Sequence, residues 1–317
     1  MDSAIFSAQA FAFARANEKA VDDLLGRAKP DGGGDTAFNL IPAVGDPTRV
    51  WAEVDAATES ASGRGAGPSF HTDTSGLSGG GDLDVGGGNR VGLSLGYDRD
   101  TLHDGDAGSA SGDIFRLSAY ASQPAGLVGF SEVVSYAKAW NTTDRPTGVT
   151  PARASYTSSE LTGAVQIAAP FTTGGVTVSP AAGLQVSQLS SSRFSESDPG
   201  FAAFAVKGSG QSTTFASPYA SVGFSQAFTS GGGIVFIPDV SVGYRYDQTA
   251  LGQRFTLTAA DATVFQGNRV GLQGSSGLFG LSLTAHHGQW TAYAKYQAQF
   301  ASGWSDQSGA IGFRVAF

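Results

Sequence analysis

Four histidines, a scatter of acidic residues and several glycine runs are where chemistry would first be sought in this chain. His71, His103, His286 and His287 are the only histidines. The adjacent pair His286-His287 abuts a tight turn, and successive strand residues point to opposite faces, so the two rings do not readily share a metal. The runs Gly79–Gly81 and Gly86–Gly88 lack the following helix and the Lys-Ser/Thr of a phosphate loop and read as turns or bulges. Asp98, Asp100, Asp104 and Asp106 lack a recognised calcium-ligand spacing and read as a solvated loop. No Gly-x-Ser-x-Gly nucleophile elbow is read in the chain. With no cysteine there is neither a disulfide framework nor a thiolate metal site. A net charge of −8 and a pI near 4.9 argue against binding a phosphate backbone. The expectation is no catalytic residue, no metal, no cofactor and no nucleic-acid partner.

The elements that place the charges carry more information. Gly reaches 45 of 317 residues while charged residues are only 15%, a balance that suits many strands joined by Gly/Ser turns and not a helical or α/β enzyme. Ser3 to about Gly26 reads as one Ala-rich helix, with Asp2 or Ser3 as N-cap and Gly26 followed by Pro30 as the stop. At roughly 1.5 Å per residue such a helix spans about 35 Å, enough to cross an apolar band about 25 Å tall. Its charged and amide residues, Arg15, Asn17, Glu18, Lys19, Asp22, Asp23 and Arg27, follow an apolar first half containing Ile5, Phe6, Phe11 and Phe13, so it does not suit lipid. Pro30 to Pro47 reads as a linker, which divides the chain into 1–47 and 48–317. The start at Met1 lacks the basic region of a secretory signal, so an exported protein would be represented here by part of a longer precursor.

After the linker the period is two. Val91, Leu93, Leu95 and Tyr97 alternate with Gly92, Ser94, Gly96 and Asp98, and Ile311, Phe313, Val315 and Phe317 alternate with Gly312, Arg314 and Ala316. Connections alternate too. Gly86–Asn89, Pro124–Gly126, Thr172–Gly175, Ser230–Gly233 and His287-Gly288 are tight, whereas Ala61–Thr74, Leu102–Ser111, Asn141–Ala152, Ser190–Ser212 and Thr249–Gly274 are long; the position near Gly303 is short. This describes an up-and-down meander of about twelve strands.

Alternation alone also fits a soluble β-sandwich or a β-rich polysaccharide-binding or lyase protein. Two features favour a membrane barrel. The non-apolar face is poor in bulky charge, and aromatics gather at strand ends as an interfacial girdle would require: Trp51, Tyr97, Tyr136, Trp140, Tyr244, Tyr246, Trp290, Phe300, Trp304 and Phe317. No run reaches the roughly 18 apolar residues of a membrane helix, and a barrel needs none. Pairing Thr48–Ser60 with Ser305–Phe317 would close the sheet.

Four stretches stand together: Val50-Trp51-Ala52; Gly79-Gly80-Gly81-Asp82 leading to Asn89-Arg90-Val91-Gly92-Leu93-Ser94-Leu95-Gly96-Tyr97; Ser179-Pro180-Ala181-Ala182-Gly183-Leu184 followed by Phe194 and Glu196; and the ending Gly312-Phe313-Arg314-Val315-Ala316-Phe317. Through them, over about Val50 to Phe317, the chain resembles the autotransporter β-domain family. That ending resembles the signal read by the barrel-assembly machinery through Gly312, Val315 and Phe317, with Ile311 where the fuller signal carries a polar residue. The resemblance implies an all-β, closed, antiparallel transmembrane barrel in the outer membrane of a Gram-negative bacterium. Its lumen would hold the N-terminal helix, which joins it to a surface-exposed passenger absent from this chain. Inward Arg116, Arg245, Lys295 and Arg314 would then face the helix and its Glu18, Asp22 and Asp23. Some family members cut themselves at an Asn pair in the helix; Asn17 is followed by Glu18, so that motif is missing. The expected function is passive: a monomeric translocator and anchor of type V secretion, surrounded by outer-membrane lipid. A free-standing porin or adhesin-like barrel is the second reading.

Overall fold

A computed structural model of the chain describes residues 3–27, 48–62, 69–105, 108–148, 150–197, 202–247, 253–268, 270 and 274–317. The helix α1 runs Ala4–Arg27. It continues one residue past the expected stop at Gly26, because the Arg27 side chain is anchored to Glu53 at 2.5 Å and lies 4.0 Å above the Trp51 ring. The cap candidate Asp2 and the linker Pro30–Pro47 lie outside the described residues.

Twelve long strands follow: β1 Thr48–Ser62, β2 Ser69–Gly86, β3 Asn89–Asp104, β4 Ser109–Ala125, β5 Val128–Arg145, β6 Ala152–Ala168, β7 Val176–Ser191, β8 Gln211–Ser225, β9 Val235–Asp247, β10 Gly274–His287, β11 Trp290–Ala301 and β12 Trp304–Ala316. Each pairs antiparallel with the next in chain order. The sheet closes where β1 meets β12, in a register from Arg49↔Ala316 to Ala61↔Trp304. The result is the expected closed up-and-down barrel around one N-terminal helix.

Several strands are longer than the sequence pattern suggests. β2 begins at Ser69, β3 continues to Asp104 and β5 to Arg145, all inside stretches read as loops. Beyond the apolar band both faces of a strand are polar, so pairing persists while alternation vanishes. The connections after β7 and β9 also form a second, four-stranded sheet from Phe194–Ser195, Val206–Gly208, Thr256–Ala259 and Val264–Gln266.

The two faces differ sharply. Outward residues include Val54, Leu93, Leu95, Val134, Leu161 and Ile311, while inward positions carry Gly, Ser, Thr and paired charges. Trp51 and Trp304, expected in the outer girdle, are buried inside the barrel. Each lies on the inward parity of its strand, and each serves a luminal arginine: Arg27 over Trp51 and Arg15 over Trp304. Strand-end position therefore does not decide which face an aromatic takes.

Inward aromatics lean over glycines directly opposite on the neighbouring strand: Trp51 on Gly80, Tyr120 on Gly92, Tyr219 on Gly183 and Tyr293 on Gly312. A Cβ at Gly92 would fall within the Tyr120 ring. Gly92→Val should therefore displace Tyr120, break its 3.0 Å hydrogen bond from Trp51 Nε1, and lower stability by about 1–3 kcal/mol, the usual cost of overpacking. Denaturant unfolding of the reconstituted barrel measures this, and an unchanged midpoint would refute the packing role.

Candidate functional site

The site is the lumen, where α1 meets its sleeve. The helix is 24 residues long, about 36 Å at 1.5 Å per residue, and buries side chains all around its circumference. Its first half is apolar and packs into aromatics. Phe6 stacks against Phe194 at a centroid distance of 4.4 Å, with Tyr156 and Phe255 at 6.4 and 6.1 Å. Phe11 meets Phe70 and Trp304 at 5.9 and 6.2 Å.

The charged second half is held by ion pairs. Arg245 grips Asp22 through two hydrogen bonds of 2.8 and 2.9 Å and also pairs with Glu18. Glu18 is shared with Arg15, whose guanidinium donates to Gln299 at 2.5 Å and lies 3.4 Å from Asp306. Lys19 reaches Asp306 at 2.5 Å. Lys295 bridges Asp23 of the helix at 2.8 Å and Glu53 of β1 at 3.0 Å. Arg27 donates to Tyr293 at 2.6 Å, and the Tyr293 hydroxyl donates to Glu53 at 2.7 Å. Arg116 donates to Asn17 Oδ1 at 3.1 Å and pairs with Asp98 at 2.6 Å, while Asn17 Nδ2 donates to Thr162 at 2.9 Å. Arg314 faces inward and donates to Thr291 at 3.4 Å.

Arg116, Arg245 and Lys295 thus come together with Asn17, Glu18, Asp22 and Asp23 along one helix. Sequence reasoning missed the sleeve's acids, Glu53, Asp98 and Asp306, and the amide Gln299. Strand parity, which puts each on the inner face beside buried residues, was the available signal, and it names no partner. Asp98 and Asp100, read as part of a solvated loop, are instead buried on the inner face of β3, where Asp100 accepts from Gln9 at 2.7 Å. Asp104 accepts from the Gly108 amide at 2.6 Å, and Asp106 lies outside the described residues.

Where the long connections gather, the four-stranded loop sheet closes over the start of the helix. Ser7 donates to the Asn268 carbonyl at 2.7 Å, and the Asn268 amide donates to Ser3 Oγ at 3.1 Å. Glu196 ties this sheet to the barrel through Arg145, at 2.8 and 2.7 Å, and accepts from the Val206 amide at 2.9 Å. Two voids beside the helix measure about 50 and 130 Å³. Arg27, Glu53 and Arg116 border the first and Arg15, Asp22 and Arg245 the second, and both are small beside an open pore.

The serine and histidine motifs sought in the sequence take ordinary places in the wall. Contrary to the reading that the chain lacks it, the Gly-x-Ser-x-Gly spacing does occur, at Gly92-Leu93-Ser94-Leu95-Gly96, but it runs straight along β3 without the sharp strand-to-helix turn that exposes such a serine. His286 accepts or donates across its hairpin to Thr291 at 3.1 Å, and His71 lies between Ser60 and Asp73 on the outer wall. Among the described residues no group of three or more His, Asp or Glu is arranged for a metal ion.

Removing one partner from a buried pair leaves a charge that costs about 3–5 kcal/mol. Arg245→Ala should lose stability on that scale, whereas Glu18→Gln combined with Arg245→Met should lose less than the single change. Equilibrium unfolding of the three proteins tests the coupling; a single-variant loss below about 1 kcal/mol, the scale of an exposed pair, would contradict it.

Comparison with known proteins follows the same geometry. A family model described as the autotransporter beta-domain matches residues 50–297. The comparison with curated protein sequences gave no match. Among solved structures, the translocator domain of the autotransporter NalP from Neisseria meningitidis is similar with a TM-score of 0.77 at 18% identity, covering 99% of this chain and 100% of that one. The beta domain of the Bordetella autotransporter BrkA gives 0.67 at 17% identity, over 86% of this chain and 100% of that one. The transport unit of the autotransporter AIDA-I from Escherichia coli gives 0.54 at 13% identity, over 96% and 98%. The family match spans most of the barrel, and these structures share its fold: the chain belongs to the autotransporter beta-domain family and is an outer-membrane translocator barrel.

Proposed function

We propose that this barrel spans the outer membrane as a monomer and exports a passenger joined ahead of Ser3, after which α1 plugs the lumen and anchors what remains attached. The observation that carries this reading is the direction of the helix. Its apolar start contacts the long-connection rim through Phe194, Phe255 and Asn268, and its end at Arg27 is fixed beside Glu53, near the short-turn rim. A chain continuing backwards from Ser3 would leave on the side of the long loops, whereas the other end of α1 is held at β1 through Arg27 and Glu53. The family match favours this translocator over a free-standing porin.

The role is one of passage and retention, with no bond made or broken by the barrel. A closed sheet offers no unpaired edge and needs no second copy for its backbone hydrogen bonds. At the end of β12, Phe313 and Phe317 point outward on the same face as Val315, with Gly312 beneath Tyr293. Gly312, Val315 and Phe317 are what the barrel-assembly machinery would read, and Gly312 also makes room for the Tyr293 ring.

The plug has a direct readout. Planar-bilayer conductance of the protein should rise severalfold when residues 1–26 are deleted, because a charged helix leaves a polar lumen behind. Equal conductance with and without the helix would remove it from the pore.

A further inference from the structure

One ionisable side chain on the outer wall fits neither the band nor the lumen. Glu132 of β5 points outward, between Phe130 and Val134 along its own strand. Its cross-strand neighbours are Ala121 of β4 and Val165 of β6. Among the described residues it has no hydrogen-bond or ion-pair partner. It lies four residues beyond the start of β5 at Val128, which is about 13 Å along the strand and about 10 Å up a barrel whose strands tilt by roughly 40°. Apolar residues flank it on both sides: Val134 above, and Phe130 and the fully exposed Leu127 below. It therefore sits inside the apolar band, close to the short-turn interface.

The wall is hollow at this point. Gly81, Ala119 and Ala121 are too small to fill the surface between Leu83, Leu93 and Val134, leaving a groove of about 520 Å³. A second groove of about 340 Å³ continues towards the rim along Val85, Asn89, Gln123 and Phe130. Val91, Ala121 and Glu132 line both.

An ionised carboxylate facing hydrocarbon is costly, and such residues mark sites that take a counter-charge. A hydrated metal ion would have to shed its shell to reach this depth. A phospholipid headgroup lies at the adjacent interface, within reach of the carboxylate, and one with a primary ammonium brings three N–H donors, which a choline headgroup lacks. We propose that Glu132 and the groove beside it bind one phospholipid with a primary-ammonium headgroup. The ammonium donates to the carboxylate from the interface, and an acyl chain lies over Gly81, Ala119 and Ala121. The site is independent of the passenger and the plug; it requires only that this face of the barrel meets lipid.

The test uses the full chain in nanodiscs of phosphatidylethanolamine and phosphatidylcholine with matched acyl chains, released and weighed by native mass spectrometry. The intact protein should retain phosphatidylethanolamine about tenfold over phosphatidylcholine, the scale of one charge-assisted hydrogen bond. Glu132→Gln should abolish that preference, and Ala121→Leu, which fills the groove, should reduce retention of both lipids. Heat-modifiable migration on gels confirms that each variant is folded. Equal retention of the two lipids by the intact protein, or an undiminished preference in Glu132→Gln, would overturn the proposal. So would a dimer that Glu132→Gln dissolves, since the counter-charge would then come from a second chain.

Discussion

Everything in this molecule depends on the seam between its first and last long strands. A sheet of this size left open would present two rows of unpaired amides and carbonyls, each costing several kcal/mol where no water can reach. The register from Arg49↔Ala316 to Ala61↔Trp304 removes both rows at once. Once the sheet is closed, the parity of every strand is fixed as well. One set of alternating residues must face outward and the other must fill an enclosed space.

What fills that space follows from size and charge. Twelve strands enclose more volume than their own side chains occupy, and inward glycines and serines keep the wall thin. The helix takes the room they leave. Its aromatics settle near the loop-bearing rim, where Phe194, Phe255 and Tyr156 can surround Phe6, and its charges settle along the wall where arginines, lysines and acids alternate. Buried pairs of this kind add little net stability against apolar replacements but penalise a misplaced helix heavily. They fix register and depth, and the loop sheet over Ser3 and Ser7 fixes the exit end. A translocator that must later hold its own linker in place gains from such specificity.

The barrel was legible because its pattern is simple: the period of two, the alternation of short and long connections, and a helix too charged for lipid. The cations Arg116, Arg245 and Lys295 could be assigned to the inner face from their neighbours Leu117, Tyr244 and Tyr296, which point out. The limits were physical. Parity shows which face a residue takes but not which residue it meets, so Glu53, Asp306 and Gln299 gave no sign of joining one network. Trp51 and Trp304 were misplaced because an aromatic near a strand end suits either an interface or a cation. Strand extensions above the band could not be seen, since polar residues on both faces erase the alternation. The loop sheet, made from strands of two to four residues far apart in sequence, left no periodic trace.

The central claim is that the outward set of each strand meets hydrocarbon while the inward set wraps the helix. The chain has no cysteine, so single cysteines can be placed at positions 93 to 97 of β3 and labelled with a fluorophore in vesicles containing bromine-tagged acyl chains. Quenching should alternate, strong at 93, 95 and 97 and weak at 94 and 96. Quenching that is uniform, or strongest at the even positions, would contradict the account.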